Sequence, residues 1–432
     1  MEPINVGLIG AGTIGCGVYK IIHENNDIIE NRSGIKLILK RIADIDIERK
    51  RPVEIPKELF TKDAYEIIND ESISIVVELV GGTTIAREFV LAAIRNGKSV
   101  VTANKALIAH YGDEIFSEAQ KNNVEVAFEA SVGGGIPIIK ATQESYVANN
   151  IKSIHGIING TSNYILHKMT EDGSDFNEVL KQAQDEGYAE ADPSFDVDGV
   201  DAAHKLSILI LLSYGVFLKF EDIPVEGIRN ITQTDIHFAD QLGYKIKLLA
   251  IVKSFKQGLQ AGVYPCLVRK QTQLADVKDA FNAIYVVGDA VGPSMLYGMG
   301  AGMMPTASAV VSDIVSISKN LSGKSRDSLP KFYSKENEIS LLDIKKSVNK
   351  YYLRFQVEDQ PGTLGEITSI LGNNNISIES VIQKGREDNG GEVPVIMMTH
   401  EVIEENLLNA IKEIKNSKLQ KSNTIFIRIE DL

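Results

Sequence analysis

Two cysteines among 432 residues, Cys16 and Cys266, are too few to staple a fold and stand in no metal-ligand spacing. Such sparing use suits a reducing compartment, where both thiols serve as small buried hydrophobes. Positive charge is also short. Lysine and arginine number 45 against 58 acidic residues, a formal net charge of −13. Nucleic acid and anionic membranes are therefore excluded as main partners, since both need a basic face to neutralise phosphate. The longest apolar run, LSILILLSYGVFL from Leu206, falls well short of the roughly 20 residues that a membrane helix requires. No basic leader precedes the first apolar stretch in MEPINVGLIG, so a signal sequence is not expected and a cytoplasmic location is. What is present is ordinary: 44% hydrophobic and 24% charged residues describe a globular chain, and its length predicts two or three domains.

INVGLI, LILKRIA, SISIVVELV, SVVTA and VEVAFEA read as short buried strands alternating with helices. That rhythm predicts a parallel sheet covered on both faces, over residues 1–133. Residues 134–304 mix helices with strand-like runs at 151–159, 246–253, 260–268 and 284–287, as in an α+β domain. A helix over 305–319 is expected to return to the first domain, and a polar linker follows within 319–345. Residues 346–432 give the βαββαβ order of a ferredoxin-like unit.

Gly10, Gly12 and Gly15 form G-x-G-x-x-G between a predicted strand and a predicted helix. Glycine allows the tight turn there, and the backbone N–H groups of Gly12, Thr13, Ile14 and their neighbours can then approach a pyrophosphate at the helix N-terminus. The first domain is therefore expected to be a Rossmann-like, doubly wound dinucleotide domain. Asp44, after the second strand, is placed to meet a ribose hydroxyl and favours NAD; Arg49, Lys50 and Arg51 close by argue for NADP, and the choice stays open. Asn104 and Lys105 follow a parallel strand's carboxyl end, the side that faces ligand.

The stretch EGYAEADPSFDVDGVDAAHK, residues 186–205, sets six carboxylates ahead of Lys205. Asp201 and Lys205 are one turn apart on a helix that continues apolar nearly all round and must be buried. A charged first turn on such a helix belongs at the mouth of a cavity, where an unpaired charge is costly. His155, His204 and His237 show no ligand spacing. EASVGGGIP, from Glu129, is either an interdomain turn or a loop whose carbonyls hold a monovalent cation or whose amides face the cofactor.

Taken together, GLIGAGTIG, VVTANKAL, FEASVGGGIPII, INGTSNYIL, GYAEADPSFDVDGVDAAHKL and YGMGAGMMPTASAVV resemble the homoserine dehydrogenase family over essentially the whole chain. VEDQPGTLGEITSILGNNNISIESV resembles an ACT domain, an amino-acid-sensing module. The resemblance implies NAD(P)-dependent interconversion of L-homoserine and L-aspartate 4-semialdehyde, in the route to threonine, methionine and isoleucine. It makes Lys205 the acid/base lysine, with Asp201 beside it, and Lys105 a lysine touching substrate and cofactor. It places Glu190, Asp201 and Asp196 near the substrate, Gly160 and Thr161 at its polar end, and Gly302 near the nicotinamide. It makes Glu129, Val132, Gly134 and Ile136 a sodium-type site of backbone carbonyls. It further implies threonine at the ACT module, a homodimer or homotetramer, and a monofunctional chain. Many members carry an arginine where this sequence has Asp44-Ile45-Asp46, so NADP use does not carry over. Two other functions fit part of the pattern: a dehydrogenase for another small amino or hydroxy acid, and a non-catalytic nucleotide- and amino-acid-binding regulator. The lysines together with Glu190 argue against the regulator.

Overall fold

A computed structural model describes residues 3–321, 339–383, 392–417 and 419–432. Of the expected linker, residues 322–338 lie outside the described residues. In chain order the elements are β1 (Ile4–Ile9), α1 (Thr13–Ser33), β2 (Leu37–Ala43), β3 (Phe60–Thr61), α2 (Tyr65–Ile68), β4 (Ile75–Glu78), α3 (Thr84–Arg95), β5 (Ser99–Thr102), α4 (Lys105–Asn122), β6 (Val126–Ala127) and α5 (Ile138–Lys140). Then come β7 (Ile151–Ile157), α6 (Gly160–Asp172), α7 (Phe176–Asp185), α8 (Ser194–Val197), α9 (Val200–Tyr214), α10 (Gln233–Gln241), β8 (Tyr244–Phe255), β9 (Gly258–Arg269), β10 (Phe281–Gly288), β11 (Gly292–Met299) and α11 (Met303–Leu321). The last stretch holds β12 (Val348–Glu358), α12 (Thr363–Asn373), β13 (Ile378–Gln383), β14 (Glu392–Thr399), β15 (Val402–Ile403), α13 (Glu404–Asn416) and β16 (Ile425–Glu430). The described residues form two compact units, the first drawn from 3–151, 204–223 and 282–321, the second from 152–203, 224–281 and the described residues from 339 onward.

In the first unit a parallel sheet runs β3-β2-β1-β4-β5-β6. This is the order in which two βαβ halves meet at β1 and β4, where a crevice opens beyond the strand ends. Its strands are apolar on both faces because helices cover both: Val6, Leu8, Ile75, Val77 and Val101 are all buried. Helix α11 joins the same core through Ala307, Val310 and Ile314, against Val18 and Ile21 of α1. Contact is close because Gly17 has no side chain; a Cβ there would stand 2.8 Å from the Ala307 Cβ and the Met303 carbonyl.

In the second unit the strands follow the order β7-β8-β9-β16-β12-β14-β13. Strand β16 pairs parallel with β9 and antiparallel with β12, so the βαββαβ module shares one sheet with β8 and β9. The module keeps a core of its own, in which Tyr351, Leu353 and Phe355 pack with Ile367, Leu371, Leu407 and Ile414.

Candidate active site

At the end of β1 the chain must turn sharply into α1. Gly10 takes φ +101°, where a side chain would be strained and its Cβ would meet the Leu79 carbonyl at 2.6 Å. At Gly15 a Cβ would lie 2.2 Å from the Gly10 oxygen, so helix and turn close only on glycine. Gly12 differs: nothing lies within 4 Å of its missing Cβ, and no side chain caps the helix there. The first amides of α1, beside exposed Thr13 and half-buried Ile14, thus face open space at a positive helix end, which fits a pyrophosphate.

Asp44 sits beside this turn and accepts from the Ala11 N–H at 2.9 Å. Burial raises its pKa, but the N–H groups of Asp46 and Ala11 and the Arg51 guanidinium outweigh burial and hold it below the usual carboxylate range. Arg51 stands 3.2 Å and Arg49 3.7 Å from the Asp44 carboxylate, and both donate to the Ala11 carbonyl. Only Arg49 is substantially exposed.

Beyond β4 and β5 a second network forms in the same unit. Asn104 caps α4 by accepting from the Leu107 N–H at 3.1 Å, and donates to the Gly82 carbonyl at 2.6 Å. Buried Glu78 accepts from the Thr102 hydroxyl at 2.6 Å and from the Val80 N–H at 2.8 Å. Lys105 opens α4 and is half-buried. Gly302, at φ +115°, precedes α11.

The loop from Glu129 to Ile136 is buried apart from Gly135, with Gly133 and Gly134 in the left-handed region. The Glu129 carboxylate accepts from the Ile139 and Lys140 N–H groups at 2.8 and 2.9 Å, and its own N–H donates to Asp313 at 2.8 Å. Burial, then the nearby Asp313, push its pKa up to about 7. Lys140 pairs with Asp313 at 3.0 Å. Glu129, Lys140 and Asp313 line a cleft of about 1060 Å³ whose walls include none of Gly10, Gly12, Gly15, Lys105 and Lys205. Among the described residues no three His, Cys, Asp or Glu side chains cluster as a metal site.

In the second unit the carboxylates gather on a residue to which the sequence alone draws no attention. Asn159 caps α6, accepting from the Ser162 N–H at 2.8 Å. Its side-chain NH₂ donates to Asp196 at 2.7 Å and to Asp201 at 2.9 Å. Thr161 donates to Asp196 at 3.1 Å, and the Ser162 hydroxyl to the Asp196 carbonyl at 3.0 Å. Gly160 is required because a Cβ would press on the Ala280 carbonyl at 2.8 Å. Asp201 is 4% exposed. Glu190 is exposed in the loop between α7 and α8, outside this hydrogen-bonded group. Lys205, in the first unit, follows Asp201 by one turn along α9, whose Leu206, Leu209 and Ile210 are fully buried.

Lys247 is a second such residue. It is buried in β8, donating to Asn163 at 3.1 Å and to the Val277 carbonyl, while Asn163 holds the Asp279 carbonyl at 2.8 Å. Alternation in β8 gives no sign that this position faces α6.

Family models match over three stretches: homoserine dehydrogenase, NAD binding domain, at 10–129; homoserine dehydrogenase at 137–315; and ACT domain at 351–417. A homoserine dehydrogenase of Neisseria gonorrhoeae is 43% identical over 435 residues, covering all of both chains. The crystal structure of a homoserine dehydrogenase from Thiobacillus denitrificans matches with TM-score 0.93 and 42% identity, over 100% of this chain and 99% of that one. A hyperthermophilic archaeal homoserine dehydrogenase in complex with NADPH matches with TM-score 0.62 and 28% identity, over 73% of this chain and 98% of that one.

Lys247 generates a pH test. Burial, reinforced by the positive charge of Lys245, lowers its pKa from 10.5 to about 7. Between these values the unfolded chain binds the proton more readily, so the penalty is complete below pH 7 and fades as pH rises towards 10.5. Lys247→Met removes it, at about 1.4 kcal/mol for every tenfold change in proton affinity, against the constant loss of two hydrogen bonds. The difference in melting temperature between variant and parent should move against the variant from pH 7 to 10; a pH-independent difference would contradict this burial.

Its glycine turn built for a dinucleotide, the carboxylates gathered at Asn159, and full-length relatives above 40% identity agree: the chain belongs to the homoserine dehydrogenase family, NAD(P)-dependent oxidoreductases, and ends in an ACT domain.

Proposed function

We propose that the chain interconverts L-homoserine and L-aspartate 4-semialdehyde, with Lys205 as the acid/base group. The observation that carries this is the pairing of Asp196 and Asp201 on the Asn159 amide, next to Thr161. Negative charge fixed by a rigid cap suits an amino-acid ammonium, and Glu190 on its exposed loop adds to it. Thr161 and the α6 N-terminus, entered through Gly160, meet the substrate's polar end. Lys105 binds substrate and cofactor from the first turn of α4. When bound, the nicotinamide supplies or accepts the hydride. Lys205 gives a proton to the oxygen that gains charge on reduction, and takes it back in the reverse direction. Asp201 stands one turn earlier on the same helix α9.

NADP is proposed beside NAD: Arg51 and Arg49 both engage Asp44, and Arg49, the more exposed of the two, is the one able to turn to a 2′-phosphate. The carbonyls of Glu129, Val132, Gly134 and Ile136 would hold a monovalent cation, which the left-handed glycines and burial of this loop favour. Threonine is the proposed ACT ligand. Support comes from Gly362, at φ +98° before α12, which has open space on its Cβ side and leaves uncapped amides for a carboxylate. Two copies side by side would complete that site, so we assign a homodimer or homotetramer.

Spectrophotometric assay with homoserine and NAD⁺ or NADP⁺ in parallel tests the reaction; turnover only with other small hydroxy or amino acids would replace it with a neighbouring dehydrogenase activity. Lys205→Ala should lower kcat by about a hundredfold or more while cofactor still binds, and a loss below about threefold would remove it from the chemistry. Arg49→Ala should raise KM for NADP⁺ about fivefold, the equivalent of roughly 1 kcal/mol, and leave NAD⁺ unchanged. Equal effects on both cofactors would refute its role at the 2′-phosphate.

A further inference from the structure

Within the second unit, a short strip of chain from Val225 to Arg229 is fastened at both ends. At one end Arg428 of β16, 1% exposed, pairs through Nη2 with the Glu226 carboxylate at 2.9 Å, while Nη2 and Nε donate to Glu404 at 2.7 and 2.9 Å. The guanidinium also lies 4.1 Å from the centre of the Tyr264 ring. At the far end Arg229 donates to the Asp198 carboxylate at 3.1 Å and to the Ser194 hydroxyl at 3.0 Å, spanning helix α8. Between the two ends the strip is seated on the chain that follows α8. The Ile228 N–H donates to the Val197 carbonyl at 2.9 Å, and a Cβ on Gly227 would stand 2.4 Å from that carbonyl oxygen. Gly199, at φ +85°, would likewise bring a Cβ to 2.9 Å from Val225. Helix α8 carries Asp196, the partner of Asn159 and Thr161.

We propose that Glu226, held by Arg428, is a positioning residue for Asp196: through Gly227–Arg229 it fixes the height of α8 and with it the carboxylate that meets the substrate. Among the described residues no other anchor on the strip involves a buried guanidinium, and backbone contact at Gly227 leaves no slack for α8 to move independently. The backbone also ties this end to β9, the Glu226 N–H donating to the Val263 carbonyl at 2.7 Å and the Val263 N–H to the Pro224 carbonyl at 2.9 Å. Loss of the Glu226 carboxylate therefore removes the side-chain part of the anchor, while the Arg428–Glu404 pair keeps the sheet intact. The role at the substrate rests on the homoserine reading given above, but the placement of α8 does not.

Glu226→Ala should raise KM for homoserine by about three- to tenfold with a smaller change in kcat and none in KM for the cofactor, because it displaces a binding group and leaves Lys205 alone. Glu226→Gln, which can still accept from Arg428, should restore most of the loss. Arg229→Met should act in the same direction, and the double variant should add little to either single one, as expected of residues in one linkage. Hydrogen exchange over residues 194–201, which needs no substrate, should speed up by about tenfold in Glu226→Ala. Unchanged exchange there would overturn the proposal whatever the enzyme acts on. Faster exchange with homoserine KM within about 1.5-fold of the parent would overturn the positioning role, and a parent without homoserine activity would instead defeat the functional reading.

Discussion

One side-chain amide holds the acidic end of the second unit together. Asn159 has two hydrogens and one carbonyl, and all three are committed: the carbonyl caps α6, the hydrogens go to Asp196 and Asp201. An aspartate could cap the helix but would repel both neighbours, and a serine could not serve both. Asparagine is the side chain that brings two carboxylates from α8 and α9 beside a helix N-terminus without adding a third charge. Thr161 and the strip at Val225–Arg229 meet α8 where that amide holds it.

Much of this architecture is legible in the sequence. The glycine turn, the alternation of strand and helix, the buried α9 and the βαββαβ order each leave a local pattern, and each is present. Less legible are positions whose meaning is set by distant chain. INGTSN reads as a turn, yet Asn159 matters because α8 and α9 return to it. Glu78 reads as the polar end of a strand, yet it is buried under Thr102 of the next one. Strand β11 and helix α10 are hard to read, the first because GPSMLYGM does not alternate, the second because QTDIHFADQ is short and mostly polar. For α10 the capping box at Thr232 and Asp235 is the available signal.

Buried charge is concentrated where the ACT module meets the α+β part of the second unit. Asp235 is wholly buried and accepts from Arg354 at 2.7 Å, from the Tyr352 hydroxyl at 3.1 Å and from the Thr232 hydroxyl at 2.7 Å. Arg428 is shared by Glu404 and Glu226. Burial alone would lower the Arg428 pKa, but the bond to Glu404 and the charge of Glu226 raise it well above the ordinary arginine value. Ion pairs of this kind add little net stability compared with apolar packing, but removing one partner is costly, and so they fix a register. The module is therefore joined to the sheet in one position.

Strand β16 also decides when the second unit can finish folding. Arg428, Ile429 and Glu430 pair with Cys266, Leu267 and Val268, partners 162 positions earlier (428 − 266). Parallel pairing over such a separation is slow, since the intervening loop must close before any contact rewards it. During synthesis β9 emerges long before its neighbour, and until residues 425–430 arrive one edge of a buried, apolar strand is unpaired. Exposed strand edges recruit other chains, so the interval between these two segments is when a nascent molecule most needs protection from its copies.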